Sequence, residues 1–117
     1  MKDYKNFTVW QKSHQLTLDV YKILNNFPKE EIFGLTSQMK RSSSSIPTNI
    51  AEGCGRNTDK DFARFLIIAF GSASELEYQF ILSRDLNFID LETSQKLFFQ
   101  IEEIKKMLNS LISKLNK

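Results

Sequence analysis

Few side chains in this 117-residue chain could make or break bonds, and none sits at catalytic spacing from a suitable partner. Ser37-Gln38-Met39-Lys40 fits the Ser-x-x-Lys pattern, in which a lysine activates a serine nucleophile. The pattern is short, however, and the companion motifs of acylating enzymes are absent, so it reads as coincidence. The single histidine, His14, excludes the paired Glu-x-x-His motifs of a di-iron bundle and reads as a helix-surface or interface residue. Cys54 could serve as a reactive thiol, but no catalytic partner can be named, and packing is the preferred reading. Gly53-Cys54-Gly55-Arg56 completes neither a phosphate loop nor a dinucleotide fingerprint and reads as a helix terminus followed by a turn. The expectation is no catalytic residue, no metal, no cofactor and no enzymatic activity.

Recognition chemistry is better represented. Arg56, Lys60 and Arg64 recur every four residues, on one edge where a helix begins. Such an edge is either a solvated face paired with Asp59 and Asp61, or a set of phosphate contacts strengthened by repetition in an oligomer. No aromatic residue is visibly interleaved there for stacking on bases. Arg41, Glu52 and Glu75 lie in apolar stretches and read mainly as a structural ion-pair set, with nucleic-acid contact by Arg41 as the alternative.

These residues need elements to hold them, and periodicity supplies four. In the first segment Val9, Ser13, Leu16, Val20, Ile23 and Phe27 fall at alternating spacings of four and three, the seam of a bundle helix, with Trp10, Thr17, Tyr21 and Leu24 widening it. Thr8 is its expected N-cap, and Phe27-Pro28 its stop. In the second, Leu35, Met39, Ser43, Ile46, Ile50 and Cys54 share a face. Pro47 should kink or break this helix, with the hydroxyls of Ser42 to Ser45 meeting the freed carbonyls and glycines closing the end. The third opens on Thr58 as N-cap and carries the seam Phe62, Leu66, Ala69, Ala73, Leu76 and Phe80. Gly71 costs it about 1 kcal/mol, but the seam keeps its phase, so one helix is expected. A second stripe, Ile67, Phe70, Ser74, Tyr78 and Ile81, needs another partner, and Ile67, Phe70, Tyr78 and Ile81 are the candidate oligomer interface. The fourth repeats Leu97, Ile101, Ile104, Leu108, Leu111 and Leu115, with Lys105, Lys106, Lys114 and Lys117 toward its end. Boundaries fall near 8–26, 31–54, 59–86 and 91–116. Short connections favour an all-α, antiparallel up-down-up-down four-helix bundle, a single domain over 1–117, with the second helix kinked at Pro47.

Composition agrees with this reading. Four Gly and two Pro disfavour turn-rich β architecture, and one cysteine allows no internal disulfide, which suits a reducing, cytoplasmic setting. No run of eighteen consecutive apolar residues and no apolar N-terminal stretch appears, so neither a membrane span nor a signal peptide is expected. Without secretion, the sequon Asn6-Phe7-Thr8 is a chance match. A net charge of +2 does not by itself announce a nucleic-acid partner.

Longer blocks carry a resemblance. They are Phe7-Thr8-Val9-Trp10-Gln11-Lys12, Phe27-Pro28 with Glu31, Gly34-Leu35-Thr36-Ser37-Gln38, Arg41, and Ser45-Ile46-Pro47-x-Asn49-Ile50-Ala51-Glu52-Gly53. Phe62-x-x-Phe65-Leu66-x-Ile68-Ala69-x-Gly71-Ser72 and Glu75-Leu76-Glu77 complete the set. Together they resemble the four-helix bundle proteins encoded in intervening sequences of bacterial 23S rRNA genes, also labelled S23 ribosomal protein. The accessory variability determinant of diversity-generating retroelements belongs to the same group. The likeness departs at Ser42-Ser43-Ser44, where small apolar residues are expected, a change that should loosen packing near Pro47.

The resemblance implies an up-down bundle assembled as a ring-shaped homopentamer. In the retroelement branch it also implies binding to nucleic acid and to a reverse transcriptase through a basic surface. Two functions compete: an accessory protein associated with RNA or DNA through Arg56, Lys60 and Arg64, or a protein–protein scaffold without nucleic-acid contact.

Overall fold

The structure, a computed structural model, describes residues 2–116. Four helices follow one another: α1 (Thr8–Leu24), α2 (Leu35–Cys54), α3 (Asp59–Asp85) and α4 (Leu91–Leu115). Short 3-10 turns, Tyr4–Asn6 and Lys29–Glu31, precede α1 and α2, and no strand occurs among the described residues. Each helix packs on the next and α1 closes against α4. At 1.5 Å per residue α3 is about 40 Å long, close to the 43 Å long axis of the molecule. The five residues between α3 and α4 reach at most about 18 Å, so these neighbours run antiparallel.

The spacing-derived seams form the core. Phe62, Leu66, Ala69, Ala73, Leu76 and Phe80 of α3 are all buried, as are Leu35, Met39, Ser43, Ile46, Ile50 and Cys54 of α2. In α1 Val9, Ser13, Leu16, Val20 and, beyond the helix end, Phe27 are buried as expected, while Leu24 is buried and Ile23 only partly so. In α4 Leu97, Ile101, Ile104 and Leu108 are buried, while Leu111 and Leu115 lie only partly covered near its end.

The helix ends correct several expectations. Phe7, not Thr8, occupies the N-cap of α1; its backbone is extended, and no side chain caps the helix. The second helix starts at Leu35 rather than near residue 31: a 3-10 turn intervenes, and the Glu31 carboxylate accepts from the Leu35 N–H at 3.1 Å. Thr58 does cap α3, accepting from the Asp61 N–H at 3.1 Å. Asp90, unremarked in the sequence, caps α4 through the Thr93 N–H at 2.7 Å. That backbone bond, with a second from the Thr93 hydroxyl, holds the Asp90 carboxyl below its ordinary value. Asn87, at φ 63°, closes α3, with the Phe88 and Asn87 N–H groups donating to the Ser83 and Arg84 carbonyls.

Pro47 lies inside α2, which continues through it as one helix. Proline cannot donate to the Ser43 carbonyl one turn back. The group that reaches it comes from another helix, not from the serine run: the single hydroxyl proton of Thr17 on α1 is shared between the Ser13 carbonyl oxygen at 2.8 Å and that of Ser43 at 3.0 Å. The serines turn to carbonyls of their own preceding turn, Ser43 and Ser44 both reaching Lys40. Ser42 is buried and bonds the Gln79 side chain of α3 at 2.6 Å, a polar pin between two helices.

By length and composition α3 alone among the described helices could cross a membrane, its best 18-residue window having a mean hydropathy of 1.3. Its inner seam is nonetheless occupied within the bundle. The surplus apolarity lies on the outside.

Candidate nucleic-acid interface

The basic edge is built where α2 hands over to α3. Gly53 allows the close approach: a Cβ there would lie 2.9 Å from the Phe65 Cβ and 3.0 Å from the Phe62 ring. Arg56 lies in the connection, not on α3, so helical spacing does not align it with Lys60 and Arg64. The ring of Phe65 does the aligning. The guanidinium groups of Arg56 and Arg64 each lie 4.6 Å from its centroid. Phe65 is buried to 6% exposure, and two cations stack on it.

Carboxylates answer most of this charge. Arg56 pairs with Glu52 at 3.4 Å and Arg64 with Asp61 at 3.7 Å. Lys60 is exposed and has no ion-pair partner among the described residues. A fourth cation, Lys2, was not anticipated. Its backbone N–H donates to the Cys54 carbonyl, its ammonium lies 5.1 Å from the Phe62 ring, and Asp59 is 3.9 Å away. No local pattern could have revealed that long-range docking. Glu52 is thus engaged by Arg56, Glu75 lies 3.5 Å from the Gln79 amide, and Arg41 is exposed without an ion-pair partner among the described residues. The expected ion-pair set of Arg41, Glu52 and Glu75 does not form, because these side chains lie in different surroundings.

Cys54 is 1% exposed, and burial, partly offset by Lys2, pushes its thiol above the ordinary value. A protonated, enclosed thiol is a packing group. Among the described residues no cluster of three or more His, Cys, Asp or Glu could hold a metal.

The second stripe of α3 divides. Ile67 and Tyr78 are exposed, at 54% and 59%, whereas Phe70 and Ile81 are half-buried. Lys105 of α4 covers Phe70, its ammonium 5.2 Å from the ring and 3.0 Å from the Glu77 carboxylate. Along the outer face Lys60, Arg64, Ile67, Gly71, Ser74 and Tyr78 follow at the four-three spacing of one helical side, so cations run into an exposed apolar ridge.

Residues 5–110 match the profile described as 23S rRNA-intervening sequence protein. The chain belongs to that family. A 1.70 Å crystal structure of a protein of unknown function from the S23 ribosomal protein family of Bacteroides thetaiotaomicron is similar at 29% identity, with a TM-score of 0.83. The likeness covers 90% of this chain and 95% of that one. No curated protein sequence matches. For this 23S rRNA-intervening sequence family member the four-helix architecture therefore stands on its own geometry and on a solved relative.

Proposed function

We propose that the chain is a non-enzymatic accessory protein that assembles with its own copies, as a homopentamer, and associates with RNA or DNA through Arg56, Lys60 and Arg64. The observation that carries this reading is the sharing of Phe65 by two guanidinium groups. Stacked arginines lose little further side-chain freedom on meeting a phosphate. One copy has a small positive excess; repetition around an assembly multiplies its field. The exposed ridge of Ile67 and Tyr78 beside the cations supports self-association. A cytoplasmic site of action belongs to the same proposal, as does a reverse transcriptase partner if the chain serves a retroelement.

A scaffold without nucleic-acid contact is favoured by one observation: Glu52 and Asp61 already engage Arg56 and Arg64. A mobility-shift titration with structured RNA and DNA separates the readings. Retention at low salt should fall steeply as salt rises. Retention of duplex RNA and DNA should vanish when Arg56, Lys60 and Arg64 are changed together to Gln or to Glu, with sedimentation and helical circular dichroism unchanged. Wild-type protein that retains nothing at low salt leaves the scaffold reading. Ile67→Glu with Tyr78→Glu should instead yield smaller species with the helical signal preserved.

A further inference from the structure

Away from the basic edge, α1 and α2 enclose an open groove lined by Tyr4, Trp10, His14 and Thr17 on one side and Ser44, Pro47, Thr48 and Ala51 on the other. The second side carries only short side chains, Ser44, Pro47, Thr48 and Ala51. The first is aromatic. The His14 ring lies parallel to that of Trp10, with an interplanar angle of 8° and centroids 5.2 Å apart, and Tyr4 meets Trp10 edge-on at 5.0 Å. His14 is exposed, so the stack ends on an open imidazole face. Two turns further along α1, on the same side, Tyr21 is 41% exposed.

Cations stand at both ends of this groove, and the carboxylate beside it, Asp3, accepts from the Lys5 N–H at 3.0 Å. Lys5 lies 5.9 Å from the Tyr4 ring at one end, and Lys40 lies 5.4 Å from the Tyr21 ring at the other. Neither lysine has an ion-pair partner among the described residues. No carboxylate lines the groove, although the neighbouring grooves along α4 carry Asp19 and Glu92, or Glu102 and Glu103. Flat aromatic faces flanked by unpaired cations, with no acid in the lining itself, complement a ligand that is planar, polyanionic and repeating.

We infer that the α1–α2 groove is a stacking site for the bases of single-stranded nucleic acid, with His14 and Trp10 as the platform and Lys5 and Lys40 facing the phosphates. The inference rests on the nucleic-acid reading above but places base contact on a different face from Arg56, Lys60 and Arg64. Duplex nucleic acid, whose bases already stack on one another, cannot use the platform.

Trp10 is the only tryptophan, so its emission reports on this groove alone. Oligouridine titrated at low salt should quench Trp10 saturably, while a duplex RNA of equal length should not. His14→Ala should weaken the oligouridine interaction by about five- to a hundredfold, the usual range for losing one stacking partner, and Lys40→Gln should weaken it measurably. Both side chains are exposed, so the helical circular dichroism should be unchanged. The change of Arg56, Lys60 and Arg64 to Gln should leave the quenching in place. Oligouridine retained on a filter without any change in Trp10 emission overturns the groove and spares the nucleic-acid reading; no retention of any RNA or DNA overturns both. Emission that shifts on protein dilution but not with oligouridine shows the groove closed by a second copy and overturns the inference.

Discussion

The inner and outer faces of α3 are both apolar, yet they meet opposite surroundings. Inside, Phe62, Leu66, Ala69, Ala73, Leu76 and Phe80 are at most 2% exposed; outside, Ile67, Ile68 and Tyr78 are 43–59% exposed. Two glycines draw the same contrast. A Cβ on Gly53 would strike Phe65, whereas one on Gly71 would meet nothing within 4 Å. The first glycine is explained by α2 pressing on α3. The second has no explanation within one copy, and it costs the helix about 1 kcal/mol. The inner face is accounted for by folding; the outer face is where contacts with other molecules should be sought.

The sharpest way to break that contrast is to truncate one residue on each side and follow urea unfolding. Leu76→Ala should lose about 2–5 kcal/mol, and Ile67→Ala should stay within about 0.5 kcal/mol in a monomer. Equal losses, dependent on protein concentration, would show the outer face buried in an assembly. Gly53→Ala should cost about 1–3 kcal/mol, since Phe65 and Phe62 must shift. Gly71→Ala should instead stabilise by up to about 1 kcal/mol; a loss would mean another chain packs closely there. The smallest effect is a control remote from both faces. Asp90, with its lowered pKa, contributes stability that is present above its ordinary value of 3.8 and lost as pH falls through the lower folded value. Asp90→Asn should therefore differ from wild type at neutral pH and converge with it in strong acid, by thermal unfolding, without touching the contrast between faces.

Much of the fold could be read in the sequence because the bundle seams are local repeats. The α3 seam and the Thr58 cap needed only spacing and one hydroxyl. Thr8 misled because its hydroxyl has the right chemistry one position too late, and the start of α2 was blurred by a 3-10 turn with helix-like composition. The basic edge was half legible. Three cations could be named, but Phe65, which brings two of them together, lies off both apolar stripes and stood out only within the family-like block. Arg41, Glu52 and Glu75 were joined on charge alone, which does not encode distance. The groove was hidden for a similar reason: Trp10 does widen the core stripe, being partly buried against it, and only the path of α2 shows that it also lines a groove, while Tyr21 is exposed.

The hydrogen bond from Thr17 to the Ser43 carbonyl has a consequence for the order in which the chain acquires structure. Residues 35–54 released as a peptide would leave that carbonyl to water, in a segment whose serines already compete with helix formation. The donor belongs to α1, which leaves the ribosome first. When Pro47 emerges, the hydroxyl that reaches its freed carbonyl is therefore already in the nascent chain, and α2 gains stability as a docked partner rather than as an autonomous helix.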